Sequence, residues 1–177
     1  DIDLDFLEPK DIEQNPELIH DKSKKDEYLE TVLRDQPRVL NGETFYEIIG
    51  GLICKECDKD INICKCPRTE EEAKQLAEKE DNEEVLDIKK EQVKNMNNFK
   101  KITRNLKVLA RTLPIHKYAL VLGLKSLKNV VAVTGDGTND ASALSKSDVG
   151  ISMFSGTDIA KYSSDIVLMN NNFSSII

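Results

Sequence analysis

The stretch from Val130 to Leu144, Val-Val-Ala-Val-Thr-Gly-Asp-Gly-Thr-Asn-Asp-Ala-Ser-Ala-Leu, constrains this chain more than any other. Val130 to Val133 have the length and β-branched content of a buried strand, and Thr134 to Thr138 supply a glycine-rich turn in which a strand can stop and a helix begin. Gly135 and Gly137 flank Asp136, so the backbone is free to take positive φ and approach a ligand while the carboxylate points beyond the carboxyl end of the strand. Asn139 or Asp140 can cap the helix that follows, whose free N–H groups and dipole favour an anion. A carboxylate, a carboxamide and a helix N-terminus converging on one point make a site for a divalent cation and a phosphate. Mg²⁺ takes one or two carboxylates together with phosphate oxygens and water, and this loop offers that donor set.

A Gly-Asp-Gly turn by itself is a common structural device, but the longer string says more. Val133-Thr-Gly-Asp-Gly-Thr-Asn-Asp140 resembles the loop that closes the phosphorylation domain of P-type ATPases, cation pumps whose catalytic domain has the haloacid-dehalogenase fold. The likeness continues through Asp148-Val-Gly-Ile-Ser-Met, Ser155-Gly-Thr-Asp-Ile-Ala-Lys161, Ser164-Asp-Ile-Val-Leu168 and Asn172-Phe-Ser-Ser-Ile176, most of all as in calcium pumps of the plasma-membrane type. It covers Asn105 to Ile177, about two fifths of the chain. Upstream, Arg111-Thr-Leu-Pro-Ile-His-Lys117 is similar to the pumps' Ala-Arg-x-x-Pro-x-x-Lys segment, whose lysine contacts the phosphoryl group.

This resemblance implies an α/β fold, a Rossmann-like parallel sheet of the dehalogenase type, with the C-terminal part of a phosphorylation domain at 105–177. It implies that Asp136 ligates Mg²⁺, that Asn139 and Lys117 bind phosphoryl oxygens, and that Thr134, Gly135, Gly137, Thr138 and Asp140 form the phosphate-binding loop. ATP and Ca²⁺ are then ligands of an intact pump, which would sit in a membrane, the plasma membrane favoured, with this part on the cytosolic face. One departure stands out: where the pumps usually carry Pro after Asn-Asp-Ala or Asn-Asp-Gly, this chain has Ser142. Proline only pre-organises the first helical turn, so no ligand is lost.

Net charge is −7 over 177 residues, which argues against a nucleic-acid partner. No apolar run approaches the roughly 18 residues needed to cross a bilayer, and no signal peptide pattern opens the chain. It starts without Met and stops at Ile-Ile, so the expectation is a piece of something longer, with the membrane segments elsewhere.

Residues 1–38 mix acidic and basic side chains without a sustained period and read as an exposed, flexible segment. Asp1-Ile-Asp3-Leu-Asp5 superficially matches an Asp-x-Asp phosphatase pair but lacks the preceding apolar strand. Residues 39–104 read as a divergent insertion. Within it, Thr44 can cap a short helix bearing Phe45, Ile48 and Ile49 that ends at Gly50 and Gly51, and the piece is similar to a Gly-x-x-Phe element of the pumps. Cys54-Lys-Glu-Cys57 and Cys64-Lys-Cys66 then place four thiols at short spacing. Such a set closes a tetrahedral Zn²⁺ site, or stays as free thiols in a reducing compartment, or forms disulfides. From Thr69 to Lys101 the chain is densely charged, with Val85, Ile88, Val93, Met96, Phe99 and Ile102 serving one helix face or two short helices broken near Asp81-Asn82.

In the C-terminal unit, Lys107 to Arg111 reads as a strand and Pro114 opens a helix over Ile115 to Leu127. A right-handed strand–helix–strand crossover in one sheet would bring Lys117 to the edge where Asp136 sits. His116 reads as a neutral surface residue. Val149 to Met153 and Ile166 to Met169 read as strands, with Gly156-Thr157-Asp158 a turn and helix cap, and Asp158 and Asp165 serving caps and turns.

Two other readings compete. A soluble dehalogenase-type phosphatase shares Gly-Asp-Gly-x-Asn-Asp but needs an Asp nucleophile upstream, for which Asp3 is poorly placed. A zinc-dependent non-catalytic interaction module would use the cysteines and leave the C-terminal half unexplained.

Overall fold

A computed structural model gives the fold and describes residues 22–35, 37–66 and 91–176. The readings for Asp1 to Asp5, for Val85 and Ile88 and for the break near Asp81-Asn82 lie outside the described residues.

The first described element is helix α1 (Lys22–Asp35), within a stretch expected to lack periodicity. Its apolar side chains Tyr28, Leu29, Val32 and Leu33 recur at helical spacing over barely two turns, too short a run to stand out among the charges. Val32 is buried against the rest of the molecule. Strand β1 (Val39–Asn41) leads directly into α2 (Gly42–Ile48). The cap of α2 is Asn41, whose side chain accepts the Glu43 N–H at 2.9 Å, and the expected cap Thr44 lies inside the helix, buried. Phe45, Ile48 and Ile49 are buried as the pattern predicts. Gly50 and Gly51 take φ of 72° and 74°, a left-handed pair that turns the chain sharply into β2 (Leu52–Cys54).

Strand β2 pairs antiparallel with β3 (Glu91–Val93), Leu52 opposite Val93. Val93 therefore belongs to a strand, not to the helix face expected for it. Helix α3 (Met96–Thr103) begins two residues past β3, at the Asn95 cap, and buries Phe99 and Ile102. Strand β4 (Val108–Ala110) pairs parallel with β1, and helix α4 (Pro114–Ser126) starts at the expected proline. Strands β5 (Ala132–Gly135), β6 (Val149–Ser152) and β7 (Ile166–Val167) form a parallel sheet in that order. Between β5 and β6 lie a 3₁₀ turn (Thr138–Asp140) and α5 (Ala141–Lys146), and α6 (Asp158–Tyr162) joins β6 to β7. A last 3₁₀ turn spans Phe173–Ile176.

The mixed α/β class with parallel strands agrees with the sequence reading, but three details differ. The loop strand runs Ala132–Gly135, not Val130 to Val133, and Val130 is 86% exposed. The Asp148 carboxylate takes the Val131 N–H and so ends the ladder one residue before β5. Ile166–Val167 is shorter than the strand expected there. Strands β4 and β5, on either side of α4, fall in different sheets among the described residues. Length and β-branching reveal a strand; its partner is a non-local choice that local pattern does not carry.

The largest cluster of buried side chains joins Val32, Leu40, Phe45, Ile49, Leu52, Val93, Phe99 and Ile102 to Ala119 and Leu122 of α4. Residues on both sides of position 105 share this core. Phe45 and Phe99 meet edge to face at 6.1 Å, and Gly123 lies so close to the Phe99 ring that no side chain fits there.

Candidate functional site

Three segments meet at the carboxyl end of β5: the first turn of α4, the loop Asp136 to Asp140, and the turn after β6. Lys117 stands in the first turn of α4 because Pro114 fixes the helix start. Its Nζ reaches the Asp140 Oδ1 at 2.6 Å, and both side chains are mostly shielded. The other oxygen of Asp140 accepts the Gly137 N–H at 3.2 Å. Burial pushes the Asp140 carboxyl up, but the Lys117 ammonium and the Gly137 N–H outweigh it and hold it below its ordinary value. Asp140 precedes α5 without making a side-chain cap bond to it, contrary to the expected role. Its carboxylate folds back across the loop and clamps it to the lysine.

The glycines serve sterics, not left-handed backbone. Gly137 has φ −104°, and Gly135 is not among the positive-φ residues. A Cβ on Gly135 would lie 2.6 Å from the Asp140 Cβ, and one on Gly137 would strike the Asn139 Oδ1. The loop is thus folded tightly on its own polar side chains, with Thr138 and Asn139 exposed on its outer side. Thr134, the third residue of β5, is exposed and pairs in register with Ile151.

Asp136 is held by its backbone. Its carbonyl accepts the Thr157 N–H at 2.8 Å, and a Cβ on Gly156 would come within 3.3 Å of that same oxygen. The Asp136 side chain is exposed and has no hydrogen-bond or ion-pair partner among the described residues. Thr157, as expected, caps α6 by accepting the Ala160 N–H at 3.3 Å. Support of Asp136 by Gly156-Thr157 was not foreseen; the tight Ser-Gly-Thr turn was its only sequence signal.

His116 corrects the sequence reading in part. It is 5% exposed, not on the surface, and its Nδ1 accepts the Leu113 N–H at 3.2 Å, closing the start of α4. Burial lowers its pKa, against an opposing pull from Glu43, so the ring is neutral as expected. Tyr46 of α2 lies over it at 5.2 Å between ring centres. Gly42 completes this support: a Cβ there would meet the His116 ring, the Thr112 Cα at 3.1 Å and the Arg111 carbonyl at 3.2 Å. Arg111 itself adopts φ 48°. The Gly-x-x-Phe piece of α2 is therefore packed directly behind the turn that carries Lys117.

At the far end of β5, Lys125 bonds the Lys146 carbonyl at 2.8 Å and the Asp148 carboxylate at 3.1 Å, while Asp148 takes the Val131 N–H at 2.9 Å. Asp165 accepts the Gly150 N–H at 2.8 Å, a turn role as expected. The Lys125 ties hold the sheet to α4 at the end opposite the loop.

The four cysteines form a second, separate cluster. Cys54 is buried in β2, Cys57, Cys64 and Cys66 are half-buried, and all four sulfurs lie within 4.8 Å of one another. Cys57 and Cys64 Sγ are 3.4 Å apart, so they are not disulfide-bonded. Burial pushes the Cys64 thiol up, but the Cys66 N–H and the neighbouring thiols bring it to about 7; its neighbour Cys66 is pushed up to about 12, first by Cys64 and then by burial. Crowded thiols titrate as a set, and one ionises at the others' expense.

The glycine loop after β5 and the lysine it locks thus form one polar site at the carboxyl end of a parallel α/β sheet. Sequence comparison gives the relatives. The chain is 61% identical over 77 residues to calcium-transporting ATPase 2 of Schizosaccharomyces pombe, 43% of this chain and 6% of that protein. It is 56% identical over 77 residues to calcium-transporting ATPase 7, plasma membrane-type, of Oryza sativa subsp. japonica, 43% of this chain and 7% of that one. Against calcium-transporting ATPase 2 of Saccharomyces cerevisiae it is 52% identical over 88 residues, 45% of this chain and 8% of that protein. Over somewhat under half its length, then, the chain is similar to calcium-transporting ATPases, and it spans less than a tenth of their length. A solved catalytic domain of the CPx-ATPase CopB-B aligns with 45% of this chain and 33% of its own at 32% identity, with a TM-score of 0.39. No family model matches.

Proposed function

We propose that this chain is part of an ATP-driven P-type pump with Ca²⁺ as its cargo, and that it contributes the loop receiving Mg²⁺ and the transferred phosphoryl group. The observation that carries the reading is the Lys117–Asp140 clamp beside an Asp136 carboxylate that has no partner among the described residues. The clamp leaves Lys117 two of its three ammonium N–H donors, and holds them at the loop without a search through side-chain rotamers. A phosphoryl oxygen placed there meets a fixed positive charge. Asn139, exposed on the same loop, offers a carboxamide donor to a second oxygen.

The donor set fits Mg²⁺. Asp136 is an open carboxylate of the kind a hard cation takes, whereas Asp140 is committed to Lys117. When bound, the ion neutralises phosphoryl charge as a Lewis acid. Asp136 is the residue of this chain that would hold it, and its anchored backbone keeps the carboxylate at the loop mouth.

In this reading 105–177 is the C-terminal part of a phosphorylation domain, with Val39 to Leu52 packed onto it and the cysteine cluster and charged stretch inserted between. The intact protein is membrane-bound with this part on the cytosolic face, and the relatives' names favour the plasma membrane. No helix among the described residues is long and apolar enough to cross a membrane. A metal at the cysteines, Zn²⁺ by its ligand chemistry, stands apart from the loop.

The test is phosphoenzyme formation against Mg²⁺ concentration in the intact pump, for wild type, Asp136→Asn, Lys117→Ala and Asp148→Ala at matched expression. Asp136→Asn keeps the shape and removes the charge, so it should lose most phosphoenzyme and recover partly at high Mg²⁺. Lys117→Ala should also weaken transfer. Asp148→Ala, at the other end of β5, should phosphorylate like wild type. Wild-type rate and Mg²⁺ dependence in Asp136→Asn would reduce Asp136 to a turn residue.

A further inference from the structure

We propose that Cys54, Cys57, Cys64 and Cys66 bind one Zn²⁺ as a tetrathiolate, and that this ion is what fixes the turn between β2 and Cys66. The proposal is independent of the pump reading.

Geometry comes first. Zinc–sulfur bonds of about 2.3 Å in a tetrahedron put sulfurs roughly 3.8 Å apart. The four Sγ atoms here, all within 4.8 Å of one another, need only small rotations to meet that spacing. Backbone hydrogen bonds within the turn bring the four cysteines together. The Asp58 N–H bonds the Cys54 carbonyl and the Cys54 N–H bonds the Lys59 carbonyl, each at 2.9 Å, and Asp58 takes φ 54° to close the Cys-x-x-Cys turn. Asp60 then caps the next turn: its Oδ1 accepts the Asn62 N–H at 2.8 Å and its carbonyl accepts the Cys64 N–H at 3.0 Å.

One N–H group also aims at sulfur. The Cys66 N–H points at the Cys64 Sγ at 3.4 Å. The donor lies two residues past the sulfur, the kind of outer-shell support that orients metal ligands and spreads their charge. Lys55, Lys59 and Lys65 are interleaved with the cysteines, next to the negative charge a zinc tetrathiolate carries.

Packing shows why an ion is needed. Beyond Cys54 the turn sends one aliphatic side chain, Ile61, into the core, while Ile63 is 68% exposed. The β-bridge between Ile53 and Asp60, the Ile61 N–H bond to the Leu52 carbonyl at 3.1 Å and several turn bonds also tie it to β2. A segment this poor in buried apolar surface is the sort that metal binding folds.

The test uses the 177-residue chain purified under reducing conditions, with zinc measured by elemental analysis and thiols by native alkylation. One Zn²⁺ per chain and four protected thiols are expected, with a chelator lowering Tm and freeing all four together. Replacing the ion with Co²⁺ should give the thiolate charge-transfer and d–d bands of a tetrahedral sulfur site, a readout on unmutated protein. Cys57→Ser should weaken binding by more than the roughly 10–100-fold that loss of an outer-shell partner costs. No bound metal with four freely alkylated thiols, two disulfides in the reduced-purified protein, or octahedral Co²⁺ bands would each overturn the proposal.

Discussion

One carboxylate, Asp140, bonds both the Gly137 N–H and the Lys117 ammonium, and so converts a flexible lysine into a fixed charge. The lysine's neighbour is fixed by different means. His116 accepts the Leu113 N–H only while its Nδ1 is unprotonated, and it sits in the first turn of α4, where the helix dipole also opposes positive charge. Its folded pKa lies below the ordinary 6.5. The unfolded chain therefore binds the proton first, and the stabilisation is complete above about pH 6.5 and lost as pH falls from there toward the lowered folded value. Wild type should lose stability between about pH 7.5 and about pH 5.5, while His116→Gln, whose carbonyl can accept the same N–H, should show a flatter profile. Urea midpoints for both proteins at the two pH values check this, and equal slopes would remove His116 as the titrating group. At this scale the sequence revealed which residues cluster but not what each atom does. Asp136, Lys117 and Asp140 were marked by motif and spacing, but that Asp140 would hold Lys117 instead of capping α5 depends on a contact between residues 23 positions apart. The burial of His116 was hidden for the same reason, since its cover, Tyr46 and Gly42, comes from another element.

Among the elements, α4 was the most legible, because Pro114 and the apolar spacing after it both mark a helix over nearly the observed range. Strand β5 was displaced by two residues at each end, since the Val-Val-Ala-Val run gives a strand's composition while the end of its ladder is set by Asp148, a residue far along the chain. Helix α2 matters more to the candidate site than its seven residues indicate. Gly42 has no side chain where the α4 turn passes, and two of the three atoms a Cβ would meet belong to the backbone of Arg111 and Thr112. Gly42→Ala should thus push on the turn that carries Lys117, with a cost of about 1–3 kcal/mol typical of overpacking. The gain in helix propensity from glycine to alanine, about 1 kcal/mol at most in a helix interior, does not offset it. Chemical denaturation of the variant measures the cost. A variant as stable as wild type would mean that Arg111 and Thr112 yield, and that the φ 48° at Arg111 is not set by this contact.

Across the whole molecule, side chains from α1, α2, β3 and α3 share one core with α4, so the segment expected as an insertion supports the C-terminal unit from behind. Pattern reading missed this because α1 and α2 each show barely two turns of apolar spacing, and the parallel pairing of β1 with β4 spans almost seventy residues. The same scale governs catalysis. Splitting phosphoryl transfer into two easier steps needs an attacking carboxylate as well as a metal and a lysine. The sequence contains no Asp-Lys-Thr-Gly, the nucleophile motif that the P-type resemblance requires. Asp140 is tied to Lys117 and Gly137, and the proposed reading gives Asp136 to the cation, so neither loop carboxylate is left to act as the nucleophile. The 177-residue chain alone should neither hydrolyse ATP nor form an acyl phosphate, even though its loop is folded. The measurement is acid-trapped labelled phosphate after incubation with γ-labelled ATP and Mg²⁺, with hydroxylamine to detect an acyl linkage. Hydroxylamine-sensitive label on the purified chain would show a nucleophile within these residues and would favour the free-standing phosphatase over the pump.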